Sequence, residues 1–200
     1  MEVKFKNFVL GIQNLTKDLK QNEDFLSTLD QNIGDGDHGV NMVRGFVEVE
    51  KIAWENQNLN DYLNLIGRTL LAKIGGASGP LYGMSFINTA NNLKEHSEFM
   101  FNEFKILVDS FCKTLETLGR VQLKEKTMYD VWKPLQLRLQ NSDSLDKSSL
   151  INFVLECANS TKNLLATKGR ASYLKERSIG TIDPGSYSSY LILKNLIEIL

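Results

Sequence analysis

Apolar residues recur every three or four positions along most of this sequence, a spacing that leaves room for little but helices. Phe5, Phe8, Val9, Ile12, Leu15 and Leu19 make one stripe; Leu59, Tyr62, Leu63, Ile66 and Leu70 make a second. Phe104, Leu107, Val108, Phe111, Leu115 and Leu118 form a third, followed by Leu150, Phe153, Val154 and Cys157. The last, Tyr187, Tyr190, Leu191, Lys194 and Ile197, is interrupted by its lysine. Residues three and four apart share one helix face, so each set defines a side to be buried. β-Branched alternation is scarce, and the three prolines, Pro80, Pro134 and Pro184, do not cut these stripes. Trp54 closes one helical stretch and Trp132 opens another, which assigns both indoles to packing.

Boundary residues agree. Asp183 before Pro184 reads as an N-cap followed by proline at the first helical position. Thr127 to Asp130 resembles a capping box, and Ser78-Gly79-Pro80 reads as a helix entry after Gly75-Gly76. Polar joints near 21–23, 56–60, 94–98, 120–126 and 141–147 divide the chain into about eight helices. Joints this short favour antiparallel neighbours. The expectation is an all-α chain with one domain over 1–200.

Composition narrows the function. Lys and Arg total 23 against 24 Asp and Glu, a formal charge of −1, so a general nucleic-acid surface is not expected. No run approaches 18 uncharged apolar residues, and the N-terminus lacks the apolar block of a signal peptide, so a cytoplasmic protein off the membrane is expected. Cys112 and Cys157 sit in apolar helical segments without CxxC spacing and read as reduced core thiols.

Three segments break the helical pattern. In 30–41, DQNIGDGDHGVN, the carboxylates Asp30, Asp35 and Asp37 crowd into eight residues and repel one another unless a cation screens them. Gly34, Gly36 and Gly39 permit a tight path that turns them toward one point. Oxygen-only ligands suit Mg²⁺ or Ca²⁺, although a solvated acidic turn has the same composition. The string also matches GxGxxG, but no strand precedes it and its aspartates would repel a bare pyrophosphate. An EF-hand fails too, because a loop starting at Asp30 has Asp35 at position 6 and Asn41 at position 12. His38 is as readily a capping residue as a ligand contact.

The second segment, 74–80, sets small residues before a helix, where free N–H groups and the Ser78 hydroxyl would seat an anion. The alternative is a plain helix–helix joint. The third, 168–186, holds Arg170 and Arg177, either able to fork onto a phosphate. No GxxxxGK[ST] string occurs, which excludes a P-loop kinase. A metal loop, an anion seat and a guanidinium together suit phosphoryl transfer, which depends on positioning and charge neutralisation. No acceptor site is evident beside them, and no side chain is assigned as a chemical catalyst.

The strings IGDGDHGVNM at 33–42, GGASGPLYG at 75–83, KTM at 126–128 and GRASYLKERSIGTIDPG at 169–185 resemble the nucleotide-binding L subunits of dihydroxyacetone kinases, in their stand-alone bacterial form. The resemblance implies an eight-helix antiparallel barrel holding ADP or ATP and two Mg²⁺ in loops at one end. It implies Asp30, Asp35 and Asp37 as metal ligands. His38, Gly39, Val40, Asn41, Ser78, Gly79, Gly119, Met128, Arg170, Asp183, Pro184 and Gly185 would line the nucleotide. Gly119 and Met128 rest on the resemblance alone. In the phosphoenolpyruvate-dependent version of the kinase that it resembles, which serves glycerol metabolism, dihydroxyacetone is held by a separate K subunit. A phosphohistidine protein of the sugar phosphotransferase system recharges bound ADP to ATP. Alternatives are a kinase subunit that exchanges ATP freely, a kinase subunit acting on another carrier, or a nucleotide-dependent partner of a transcription regulator. Two places depart from the family: Lys124-Glu125 stand where it usually has Gly-Asp, and Ser186 where it often has alanine.

Overall fold

The computed structural model describes residues 5–140 and 146–200, so positions 141–145 of the joint expected at 141–147 lie outside the described residues. Nine α-helices occur among them: α1 (Lys6–Gln21), α2 (Glu23–Ile33), α3 (His38–Val49), α4 (Leu59–Lys73), α5 (Ser78–Asn92), α6 (Phe101–Thr114), α7 (Tyr129–Gln140), α8 (Lys147–Ser160) and α9 (Pro184–Glu198). A π-turn, Leu115–Gly119, extends α6, and a 3₁₀ segment, Arg170–Ser178, lies between α8 and α9. No strand occurs among the described residues.

The ninth helix arises from a break. Asn22 alone separates α1 from α2, at φ −107° and ψ 11°, and its side-chain amide donates to the Asp18 carbonyl at 2.8 Å. Both pieces pack against α3 and α9, so together they form one bent stave. Packing then runs from α3 through α4, α5, α6, α7, α8 and α9 and returns through α1 to α3, which closes an eight-stave antiparallel barrel. Because direction alternates, the ends of α2, α4, α6 and α8 lie at the same end as the starts of α3, α5, α7 and α9. All three irregular segments of the sequence are therefore gathered there.

The stripes face one continuous core. Every member of the first and second is buried, each fully buried Leu or Phe contributing about 1.5–3 kcal/mol. Trp132 stacks on Phe111 with ring centroids 4.1 Å apart, while Trp54 packs half-buried at the core's edge. Leu118 departs from its stripe: it lies in the π-turn, where the register slips, and is 50% exposed. Lys194 interrupts the apolar stripe of α9 because it pairs with Asp18 at 2.8 Å on the seam with α1. Both cysteines are free, and burial pushes the Cys112 thiol up to about 12 and that of Cys157 up to about 11.

The caps are as expected, with one amendment. Asp183 accepts the Ser186 N–H at 2.6 Å with Pro184 first in α9. At 127–130 the Asp130 carboxylate accepts the Thr127 N–H at 2.9 Å. The Thr127 hydroxyl, however, meets the N–H of Tyr129 at 3.3 Å rather than that of Asp130, so only half of the box forms.

Candidate functional site

A cleft of about 620 Å³ opens at this shared end. On one wall Asp30, Asp35 and Asp37 bring carboxylate oxygens within 4.8 Å of one another. Asp30 reaches this place from the last turn of α2 and accepts the N–H groups of Asp37 at 2.9 Å and His38 at 3.1 Å. It thereby caps α3, whose own N-cap position, Asp37, makes no side-chain cap. Partial burial raises the Asp30 pKa; those two N–H groups pull it back and the neighbouring Asp35 and Asp37 push it up again. Glycine is required twice in this turn. Gly36 sits at φ +78°, and a Cβ on Gly34 would collide with the Asp30 carboxylate. The donor set is all oxygen and acidic, which fits a hard divalent cation.

Facing it, α5 begins at Ser78 with no side chain capping its first turn, so its free N–H groups present positive potential beside the cleft. His38 bridges the two walls. Its Nδ1 lies 3.4 Å from the Ser78 hydroxyl and its Nε2 2.9 Å from that of Ser188 on α9. Burial pushes the imidazole down to about 4, with Asp37 opposing, so the ring is neutral near pH 7.

The third side is built on residues 120–128 and the start of α9. Arg120, Lys124 and Lys126 all have positive φ, of 50°, 71° and 61°, a conformation that costs a non-glycine residue about 1–2 kcal/mol. Lys124 therefore keeps a backbone shape suited to the glycine that the resembling family carries there. The Lys124 N–H donates to Asp130 at 2.5 Å, which holds the turn. Glu125 accepts the Gln122 N–H at 2.7 Å and lies 3.8 Å from Lys168. Lys126 is buried and donates to the carbonyls of Thr161 at 2.7 Å and Thr181 at 2.5 Å, which ties this turn to the chain entering α9. Burial lowers its pKa, against the pull of Asp183 and Asp130. Burial likewise pushes Asp183 up to about 6, opposed by bonds from Ser186 and by Lys126. The Ser186 hydroxyl lies 2.9 Å from both the Thr127 carbonyl and Asp183, so this departure from alanine adds a tie across the cleft floor.

Most of the expected site residues are brought together. Asp30, Asp35, Asp37, His38, Asn41, Ser78, Gly119, Met128, Arg170, Asp183, Pro184 and Gly185 all line the cleft. Gly39, Val40 and Gly79 do not. A Cβ on Gly39 would strike the Glu23 carbonyl and Ser27 of α2, and one on Gly79 the Ile74 carbonyl, so both glycines serve close packing behind the wall. Val40 points outward at 49% exposure. Arg170 reaches across the mouth to Asp35 at 3.1 Å, and Arg177 is exposed and off the cleft. Sequence reasoning missed the apolar wall of Leu81, Leu115, Leu118 and Val121. No sequence signal marked it, because Leu115 and Leu118 continue the third stripe at helical spacing. Lys126 was visible only as part of the KTM string.

The DAK2 domain family matches residues 32–198. The chain is 42% identical over 183 residues to the PEP-dependent dihydroxyacetone kinase 1 ADP-binding subunit DhaL of Listeria innocua, covering 90% of this chain and 89% of that protein. It is 41% identical over 187 residues to the PTS-dependent dihydroxyacetone kinase ADP-binding subunit DhaL of Lactococcus lactis, covering 91% of each. The fold resembles a crystal structure of the dihydroxyacetone kinase of C. freundii at a TM-score of 0.76 and 22% identity, over 98% of this chain and 36% of that one. A second structure of that kinase, in complex with AMP-PNP and Mg²⁺, aligns at a TM-score of 0.72 and 23% identity. With a family match across most of its length and relatives of this identity matched nearly end to end, the chain belongs to the DAK2 domain family.

Proposed function

We propose that this chain is the ADP-binding subunit of a phosphoenolpyruvate-dependent dihydroxyacetone kinase, and that its cleft holds ADP or ATP with two Mg²⁺. The observation that carries the reading is the acidic triangle of Asp30, Asp35 and Asp37 facing the uncapped start of α5 across one cleft. A cation-holding wall opposite an anion-holding helix start is the charge pattern that a metal–nucleotide demands. The names of relatives matched over 89% and 91% of their length support it, as does the AMP-PNP and Mg²⁺ complex of the structural neighbour.

Bound Mg²⁺ would neutralise phosphate charge and polarise the transferred group. The protein's share is positioning. Asp30, Asp35 and Asp37 hold the metal. Ser78 and the N–H groups of α5 bind phosphate oxygens, and Arg170, released from Asp35, adds its guanidinium. Leu81, Leu115, Leu118, Val121 and Met128 shield the base from water, while Asn41, Asp183 and Gly185 complete the polar floor. A phosphohistidine protein of the phosphotransferase system donates to bound ADP, and the phosphoryl group passes to dihydroxyacetone on a separate K subunit docked at the open end. No helix among the described residues is long and apolar enough to cross a membrane, and we place the protein in the cytoplasm.

Equilibrium dialysis with Mg²⁺ and ADP tests the cleft. Asp35→Ala is expected to weaken nucleotide binding about tenfold, since a contact to a charged group is worth about 1.5–3 kcal/mol, with the helical circular dichroism signal retained. Unchanged ADP binding would overturn the metal assignment. Adding phosphoenolpyruvate and the phosphotransferase proteins should convert bound ADP to ATP; no conversion would overturn the relay.

A further inference from the structure

A buried chain of hydrogen bonds runs from the barrel core to the cleft through six side chains on four helices. Trp132 Nε1 lies 2.9 Å from Ser189 Oγ, Ser189 Oγ 2.8 Å from Tyr82 Oη, and Tyr82 Oη 2.8 Å from Ser188 Oγ. Ser188 Oγ lies 2.9 Å from His38 Nε2, and His38 Nδ1 3.4 Å from Ser78 Oγ at the cleft wall. Trp132, Tyr82, Ser188 and Ser189 are almost fully buried, so water cannot replace a missing partner.

Proton counting gives the chain a direction. An indole N–H can only donate, so Trp132 donates to Ser189. The remaining side-chain partner of Ser189 among the described residues is Tyr82, which therefore receives its proton. Tyr82 then gives its single proton either to Ser188 or to the Gly185 carbonyl at 3.0 Å. Ser188 likewise chooses between His38 and that carbonyl, which lies 3.1 Å away. In each choice the shorter bond continues the chain, and aligned hydroxyls strengthen one another.

We infer that this chain is ordered one way, from Trp132 to Ser78, holding His38 with its proton on Nδ1 and leaving the Ser78 hydroxyl free to donate into the cleft. With Nε2 accepting from Ser188, Nδ1–H points at Ser78 Oγ as donor, and the Ser78 proton turns outward. In the opposite tautomer Nδ1 would accept the Ser78 proton, and the Ser78 oxygen would offer an incoming anion only lone pairs. Tyr82, Ser188 and Ser189 are thus positioning residues for an anion contact made by Ser78. This rests on the reading of the cleft as a phosphate site.

The test is ¹⁵N NMR of the histidine rings. The chain has two histidines, His38 and His96, so a His96→Gln variant assigns the spectrum. Wild type should show His38 protonated on Nδ1 and bare on Nε2, without ligand and with Mg²⁺ and ADP. Tyr82→Phe should mix the tautomers and raise the ADP dissociation constant about three- to tenfold, the worth of one hydrogen bond. A proton on Nε2 alone, or on both nitrogens, in the wild-type spectra would overturn the inference, as would Tyr82→Phe leaving both tautomer and affinity unchanged. If Tyr82→Phe fails to fold, the wild-type spectra decide. Should wild type bind no Mg²⁺ and ADP, the cleft reading fails, while the unligated spectrum still judges the chain's direction.

Discussion

Asp183 meets three demands at once: it caps α9, sits half-buried at the cleft floor, and lies near Lys126 and Asp130. Its cap was legible in the sequence, because Asp before Pro is a local signal. Its burial was not, since that depends on Lys126 arriving from the turn before α7 and Thr161 from just past the end of α8. Burial pushes its pKa from 3.8 to about 6. The folded chain therefore holds the Asp183 proton more tightly than the unfolded chain. That contribution to stability is complete below pH 4 and is lost as pH rises through 6. The shift corresponds to about 3 kcal/mol. Asp183→Asn keeps the capping oxygen and removes the titration. Denaturant titrations at pH 4 and pH 7 should show the variant gaining on wild type by about that amount across the interval. Parallel pH profiles would contradict the burial of this carboxyl. The acidic triangle lies at the other extreme. Asp30, Asp35 and Asp37 were legible as a group because eight consecutive residues and their glycines suffice to bring them together.

Among elements, the pair α4 and α5 is packed most tightly. A Cβ added at Gly67 would come within 2.6 Å of the Gly83 carbonyl, and one at Gly83 within 2.7 Å of the Gly67 carbonyl. Two glycines facing each other let the backbones touch, which sets Ser78 at the cleft. Gly67→Ala should destabilise the protein by about 2 kcal/mol, within the range for overpacked cores, measured as a fall in the urea midpoint. An unchanged midpoint would show that the helices can part without loss. Helix existence was legible wherever the stripes ran true. The break at Asn22 was marked only as a polar joint, and nothing marked the π-turn at 115–119, across which Leu115 and Leu118 keep helical spacing. Neither has a strong local signal, because each is set by how neighbouring staves fit.

For the whole molecule, the cleft draws its walls from both ends of the sequence. Asp30 and Gly185 face one space because the barrel returns every second joint to the same end. A ligand touching all three irregular segments should therefore stabilise the entire barrel. Mg²⁺ with ADP at a hundred times the dissociation constant should add about 2.7 kcal/mol, a rise of about 5–10 °C in Tm for a chain of this size. ADP with a chelator should give a smaller rise, and equal rises would argue against metal dependence. By itself the sequence determined the helical class, the starts of α5, α7 and α9 and three site segments, since periodicity and capping act within a few residues. The chain from Trp132 through Tyr82 to His38, the buried Lys126 strap and the outward turn of Val40 were decided by tertiary structure. Those features join residues 35 to 150 positions apart, or depend on which helix face a neighbour covers, and no local pattern records either.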